Sequence, residues 1–209
     1  MTTPRMTSRQ RRASLLDAAE TLFADRGFTA TRLEDVAGRS GVSKQLLQRH
    51  FRTKAELLVA VLARHRDGLL TTTAAGGEGE GEGEQDRFRR RALAWFGYLR
   101  QNPNAARLLF VDRTGDPTVA AFYASMREDA RAAVEQMIRA DDVAVPDDLV
   151  PALAELVRSG MVGLLTWHAE NPGRTDEQLV DLAVDLWSGR LRSDQDRGRG
   201  TTSPGPPCA

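Results

Sequence analysis

The chain has 209 residues, 41% of them apolar and 28% charged, with 29 basic and 29 acidic side chains and so no net charge. That length is enough to bury a core in one or two compact units, and the neutral total excludes indiscriminate binding to polyanions. A lone cysteine, Cys208, excludes an internal disulfide and a thiolate metal centre and fits a reducing cytosol.

The charge is unevenly placed. Residues 1–66 hold 13 Lys/Arg against 6 Asp/Glu, a net of +7, which leaves −7 on residues 67–209. A basic first third on an acidic remainder suggests an anion-binding head joined to a body with another task. No apolar stretch follows the basic start MTTPRMTSRQRR, so no signal peptide is expected, and the longest apolar run, MVGLLTW at 161–167, is far too short to span a bilayer. The expectation is a soluble, cytoplasmic protein with no membrane partner.

In chain order, residues 1–8 read as a flexible basic arm. Thr7 with Gln10 has the spacing of a capping box and opens a helix whose buried stripe is Leu15, Ala19, Leu22 and Phe23, closed by Gly27. Thr31 with Glu34 predicts a second capping box, with Leu33, Val36 and Ala37 facing inward and Gly41 ending that helix. Ser43 caps a third helix with Leu47 and Phe51 on its buried side, and Thr53 with Glu56 opens a fourth carrying Leu57, Leu58, Val61 and Leu62. Residues 74–85 alternate Gly and Glu and read as a flexible solvated loop.

The rest, 86–191, carries further helical periods. They are marked by Phe88, Ala92, Trp95 and Leu99; a short stretch at 104–112; Val119 to Ile138; Leu149 to His168; and a last helix capped by Thr175. No alternating strand pattern longer than about four residues occurs, so the fold class is all-α. From Arg192 onward the composition predicts a disordered tail.

Two short helices around a glycine turn, followed by a third, is the order of a helix-turn-helix. On the helix after the turn, Lys44, Gln45, Gln48 and Arg49 fall opposite Leu47 and Phe51. Glutamine pairs bidentately with adenine and arginine with guanine in the major groove. Helix N-termini at Thr31–Arg32 and Thr53–Lys54 suit phosphates, and Arg5, Arg9, Arg11 and Arg12 are expected to reach the backbone or a neighbouring groove.

The stretch TRLEDVAGRSGVSKQLLQRHFRTKAELL, preceded by a helix ending FADRGF, resembles the DNA-binding domain of the TetR family of bacterial transcriptional regulators over roughly residues 9–66. The resemblance implies a dimer on double-stranded operator DNA, with a body that carries a small-molecule pocket and the dimer interface. By position it implies DNA contacts from Thr31, Arg32, Ser43, Lys44, Gln45, Gln48, Arg49, His50 and Lys54. The family commonly has an aromatic residue where this chain has Gln48, and an amide there is expected to read a base rather than brace the backbone. Leu46 either meets a thymine methyl or pads the fold.

A homodimer is expected through the last two helices, where Gly160 and Gly163 permit close approach and Leu164, Leu165, Leu179, Leu182, Leu186 and Trp187 supply apolar area for a four-helix bundle between subunits. Candidate pocket residues are Trp95, Phe96, Leu99, Phe110, Phe122, Tyr123, Met126 and Trp167, with Tyr123 or Arg107 to orient a ligand. Aromatics at helical spacing are more commonly core than ligand cage. A pocket so lined would suit a small hydrophobic or amphipathic effector.

Catalytic patterns are missing. His50, His65 and His168 lie far apart with no paired metal spacing, and there is no phosphate loop and no nucleophile elbow. His168 with Glu170 reads as a helix-end contact. No enzyme and no cofactor are expected. The leading reading is a ligand-released repressor. Its alternatives are a ligand-independent regulator, an activator, or a helical interaction module that retains a helix-turn-helix.

Overall fold

The first helix, α1 (Ser8–Ala30), begins where the sequence places it: the Thr7 hydroxyl accepts from the Gln10 N–H at 3.2 Å, and the Gln10 side chain accepts from the Thr7 N–H at 2.8 Å. Gly27, at φ +77°, breaks the helix before its final turn. Then follow α2 (Leu33–Ser40), α3 (Lys44–His50) and α4 (Lys54–Gly76), with Ser43 and Thr53 as side-chain caps of the last two. In this computed structural model residues 7–78, 83–110, 112–141 and 143–187 are described. Residues 1–6 of the arm expected over 1–8, the centre of the Gly/Glu segment at 79–82 and the tail with Cys208 lie outside the described residues, and α1 already includes Ser8.

The second capping box is shifted by one residue from its expected place. Thr31 ends α1, Arg32 is the N-cap of α2, and the Asp35 carboxylate accepts from the Arg32 N–H at 3.4 Å. The Gly/Glu segment is also shorter as a loop than its composition suggests, because α4 runs on to Gly76 and α5 (Glu84–Gln101) starts at its far end. Two close approaches explain the glycines there. A Cβ on Gly76 would sit 2.8 Å from the Ala94 Cβ, and one on Gly77 would sit 2.2 Å from Arg91 Nε.

The remaining elements are α6 (Pro103–Leu109), α7 (Pro117–Ala140), a single 3-10 turn at Asp147–Leu149, α8 (Val150–Glu170) and α9 (Asp176–Trp187). Prolines 103 and 117 sit in the first turns of α6 and α7, where a missing N–H costs nothing. The Asp116 carboxylate caps α7 by accepting from the Thr118 and Val119 N–H groups. Thr175 and Gln178 cap α9 reciprocally. Among the described residues the structure is all-helical.

One buried cluster runs through the molecule. Leu15, Leu22 and Phe23 of α1, Val36 of α2, Leu47 of α3 and Phe51 meet Leu57, Leu58, Val61 and Leu62 of α4, and the same cluster continues to Leu99, Leu109, Val119 and Tyr123. Each such side chain contributes roughly 1.5–3 kcal/mol on burial, against about 1 kcal/mol for a cap. The α4 stripe therefore holds the helices together, and the caps decide where they begin. Two smaller clusters lie beyond, one joining Ala92 and Phe96 to Leu179, Val180 and Val184, the other joining Ile138 to Val150 and Ala154.

Asp147–Glu170 is long and apolar enough to cross a membrane by length and composition, and only 11% of its apolar window is buried. Counting unbroken apolar runs misses this, because Glu155, Arg158 and Ser159 interrupt the run without making its average polar. Leu156 (68% exposed), Trp167, Leu182 and Leu186 stand out from α8 and α9 as large exposed hydrophobics. Gly160 and Gly163 have open space at their missing Cβ positions. Such an apolar surface marks an interaction site.

Candidate nucleic-acid interface and cavity

The turn between α2 and α3 is built by Gly41, whose φ of +69° belongs to the left-handed region that glycine enters without penalty. The Gly41 N–H donates to Gly38 O and the Val42 N–H to Ala37 O, which closes α2 with the paired bonds of a Schellman end. Val42 and Leu33 pack onto the core beneath, and α3 is fixed by Leu47, which is fully buried. The outward face of α3 then follows from geometry. Lys44, Gln45, Gln48 and Arg49 are all exposed. Among the described residues Gln45, Gln48 and Arg49 have no hydrogen-bond or ion-pair partner, which leaves two amides and a guanidinium to meet an external one.

The nine residues assigned to DNA by resemblance separate into three groups. Arg32 is exposed beside the start of α2, and the Ser43 hydroxyl accepts from the Leu46 N–H at 3.2 Å while keeping its own proton to donate. Lys44 is held 2.5 Å from Glu34, and this ammonium pulls the Glu34 carboxyl below its ordinary range. His50 is half-buried, its ring 6.4 Å from that of Phe51.

Thr31 and Lys54 are engaged within their own chain. Thr31 is 1% exposed, and its hydroxyl donates to Gly27 O at 2.8 Å and Leu22 O at 3.1 Å. The Lys54 ammonium donates to Thr31 O at 3.0 Å and Thr29 O at 3.2 Å and lies 4.4 Å from the centre of the Phe28 ring. Both side chains serve the broken end of α1, whose carbonyls lose their helical partners at Gly27. The left-handed glycine was the available signal, since orphaned carbonyls need donors. Arg12 is exposed, and its guanidinium lies 5.3 Å from the centre of the Phe51 ring.

In the body, a cavity of about 220 Å³ lies among α4, α5, α7 and α8. Trp95, Phe110, Tyr123 and Met126 line it, as expected from their residue types. The other four expected lining residues lie elsewhere. Phe96 and Leu99 are buried in separate clusters, Phe122 packs on the main core beneath the Arg66 guanidinium, and Trp167 is 45% exposed on α8. A helical period reports which side of a helix is apolar; it does not report whether that side meets a neighbour or a void. Leu69, Phe88, Met137 and Met161 complete the apolar wall, and Arg91 and Asp141 give it a polar edge. Asp141 also accepts from Arg87 at 2.7 Å, which fastens the end of α7 to α5.

Tyr123 donates its hydroxyl to Leu108 O, and burial, helped by the charge of Asp112, pushes its pKa up to about 12. Arg107 faces away from the cavity, 3.8 Å from Asp25 of α1. His168 pairs with Asp176 at 3.4 Å rather than with Glu170, and Arg100 shares that carboxylate at 2.9 Å.

Of the six residues assigned to a dimer face, Leu182 and Leu186 are exposed, and Leu164 and Leu165 are half-buried against the body core. Leu179, at 4% exposure, packs with Ala92 and Phe96 inside its own subunit. The side chain of Trp187 lies outside the described residues.

An all-helical subunit with a helix-turn-helix at one end, an apolar cavity in the middle and an uncovered apolar face on its last two helices defines a class of DNA-binding regulators. The profile of the family described as bacterial regulatory proteins, tetR family, matches residues 15–61. The HTH-type transcriptional activator FasR of Mycolicibacterium smegmatis is 36% identical over 133 residues, covering 63% of this chain and 60% of the relative. The HTH-type transcriptional repressor KstR2 of the same species is 41% identical over 59 residues, 28% of this chain and 29% of the relative. The chain thus spans 60% of the length of the first of these relatives and 29% of the second. A TetR-like transcriptional regulator from Rhodococcus sp. RHA1 shares the fold with a TM-score of 0.71 at 19% identity, covering 90% of this chain and all of that one. A TetR transcriptional regulator from Legionella pneumophila does so with a TM-score of 0.68 at 16% identity, covering 88% and 98%. Residues 15–61 thus carry the helix-turn-helix domain of the tetR family of bacterial regulatory proteins, and the described residues share the fold of solved regulators of that type.

Proposed function

We propose that the protein binds a two-fold symmetric site on duplex DNA as a homodimer, represses transcription there, and leaves the DNA when a small, mostly apolar effector fills the body cavity. The observation that carries the first part is the free polar face of α3, Gln45, Gln48 and Arg49, held outward by Leu47. Arg32 and the Ser43 hydroxyl lie beside it for phosphate contact. Dimerisation through α8 and α9 covers Leu156, Trp167, Leu182 and Leu186, which removes the exposed apolar surface that would otherwise suit a membrane. The effector reading rests on the cavity and its Trp95, Phe110, Tyr123 and Met126 walls.

Selection from a random duplex library tests this directly. A palindromic site with steep salt dependence is the expected result; no enrichment, or binding insensitive to salt, would favour an interaction module instead. One observation favours a second reading of the sign: the relative matched over 133 residues carries the name of an activator. A reporter placed behind the selected site, with and without the protein, separates the two.

A further inference from the structure

Three polar or charged residues are buried among the described residues: Thr31, His65 and Asp176. Thr31 closes the end of α1, and Asp176 is shared by Arg100 and His168. His65, 4% exposed in the middle of α4, belongs neither to the DNA face nor to the cavity wall. Its Nε2 lies 2.8 Å from the Glu20 carboxylate of α1, and its Nδ1 lies 3.1 Å from the Tyr98 hydroxyl of α5. A carboxylate only accepts, so the Nε2 proton faces Glu20, while the direction of the Nδ1–Tyr98 hydrogen bond follows the protonation of the imidazole. The contacts phenol–imidazole–carboxylate thus span three helices, from the body through α4 to the head.

The surroundings reinforce that arrangement. Arg64, the neighbour of His65, donates to Asp17 at 2.6 Å and also to Glu20. Burial raises the Glu20 carboxyl, but the hydrogen bond and charge of His65 and the charge of Arg64 outweigh it and leave the pKa lowered. Burial raises that of the Tyr98 phenol, so it stays a neutral hydroxyl beside the imidazole. Gly68, one turn further along α4, makes room for it: a Cβ there would lie 2.5 Å from the Tyr98 oxygen. Apolar surfaces tolerate sliding, whereas a buried polar chain is satisfied in one geometry and costly in others.

We propose that Glu20, His65 and Tyr98 are positioning residues that lock the angle of the DNA-binding head on the body, and through it the spacing between the two half-sites that the dimer accepts. This rests on the reading of the protein as a dimeric DNA binder. In that setting the three residues touch no base; they act by holding α1 and the helices packed on it in one register against α5.

The test uses the full chain and duplexes carrying two copies of the selected half-site at every spacing over roughly one turn, about 10 base pairs. Wild type is expected to prefer one spacing. Tyr98→Phe keeps the ring and removes the hydrogen bond to His65; it should keep the base preference within each half-site while the advantage of the best spacing over its neighbours falls roughly fivefold, the size of one ordinary buried hydrogen bond. Gly68→Ala, which pushes on the same phenol from the other side, should broaden the spacing in the same way. An unchanged spacing profile in Tyr98→Phe, or a loss of affinity uniform over all spacings, overturns the proposal and leaves the DNA-binding reading intact. Wild-type protein that enriches no duplex at any spacing overturns both.

Discussion

The two ends of the subunit are built by different rules. Around the helix-turn-helix, the starts of α1, α3 and α4 are fixed by side chains one turn away, at Thr7, Ser43 and Thr53, and the turn by Gly41. The cavity is made by residues as distant in sequence as Leu69, Trp95, Tyr123 and Met161. Local rules specify the first; only packing specifies the second. The difference teaches where substitution should be felt locally and where it should spread.

The largest effect should come where the two ends share a core. Leu62 in α4 is fully buried, and Leu62→Ala should cost about 3 kcal/mol. All three tryptophans, Trp95, Trp167 and Trp187, belong to the body, so their fluorescence reports that end while far-ultraviolet circular dichroism reports every helix. Coincident transitions are expected in denaturant, because one buried cluster runs from Leu15 to Tyr123. A helical signal lost before the fluorescence changes would break the unit in two.

Next comes Gln48→Ala, expected to remove about 2 kcal/mol of discrimination at one position of the site and to leave folding unchanged. Equilibrium binding to single-base variants checks it; an equal loss on every sequence would make Gln48 a backbone contact.

Tyr123→Phe should destabilise by about 1 kcal/mol through the lost bond to Leu108 O. The folded-state pKa of Tyr123, about 12, lies above the unfolded value near 10. Its contribution is therefore fully present below about pH 10 and is lost as pH rises through about 12. The variant should show a shallower loss of denaturant midpoint across that window, with Tyr98 supplying part of what remains.

The smallest pair compares caps at the two ends. Thr53→Ala at the start of α4 and Asp116→Ala at the start of α7 should each cost about 1 kcal/mol in thermal unfolding. A much larger loss at Thr53 would mean that the α4 entry also supports the head through Phe51 and Lys54.

What was legible in the sequence follows the same division. Glycine, threonine and serine at helix ends act through their own backbone, so the caps at Thr7, Ser43, Thr53 and Thr175 and the turn at Gly41 could be read residue by residue. Thr31 defeated that reading because its hydroxyl is taken by carbonyls at Leu22 and Gly27, set free by a break in a different helix. In the body, periodicity gave the correct helices and apolar sides, yet it could not tell that Leu179 faces Phe96 while Leu182, three residues on, faces outward. The His65 junction had no sequence signature at all, since Glu20, His65 and Tyr98 are brought together only by the packing of α1, α4 and α5.

The glycine pair at the end of α4 has a mechanical consequence. Arg90 Nε donates to Gly76 O at 3.1 Å, so the helix is seated on α5 at that end and abuts Phe51 at the other. Its 23 residues make a rod about 34 Å long. Tilting such a rod about its seat by roughly 5° carries the far end about 3 Å, the length of one hydrogen bond. The seat beside the cavity is thus a fulcrum, and the recognition helix rides at the end of the longer arm.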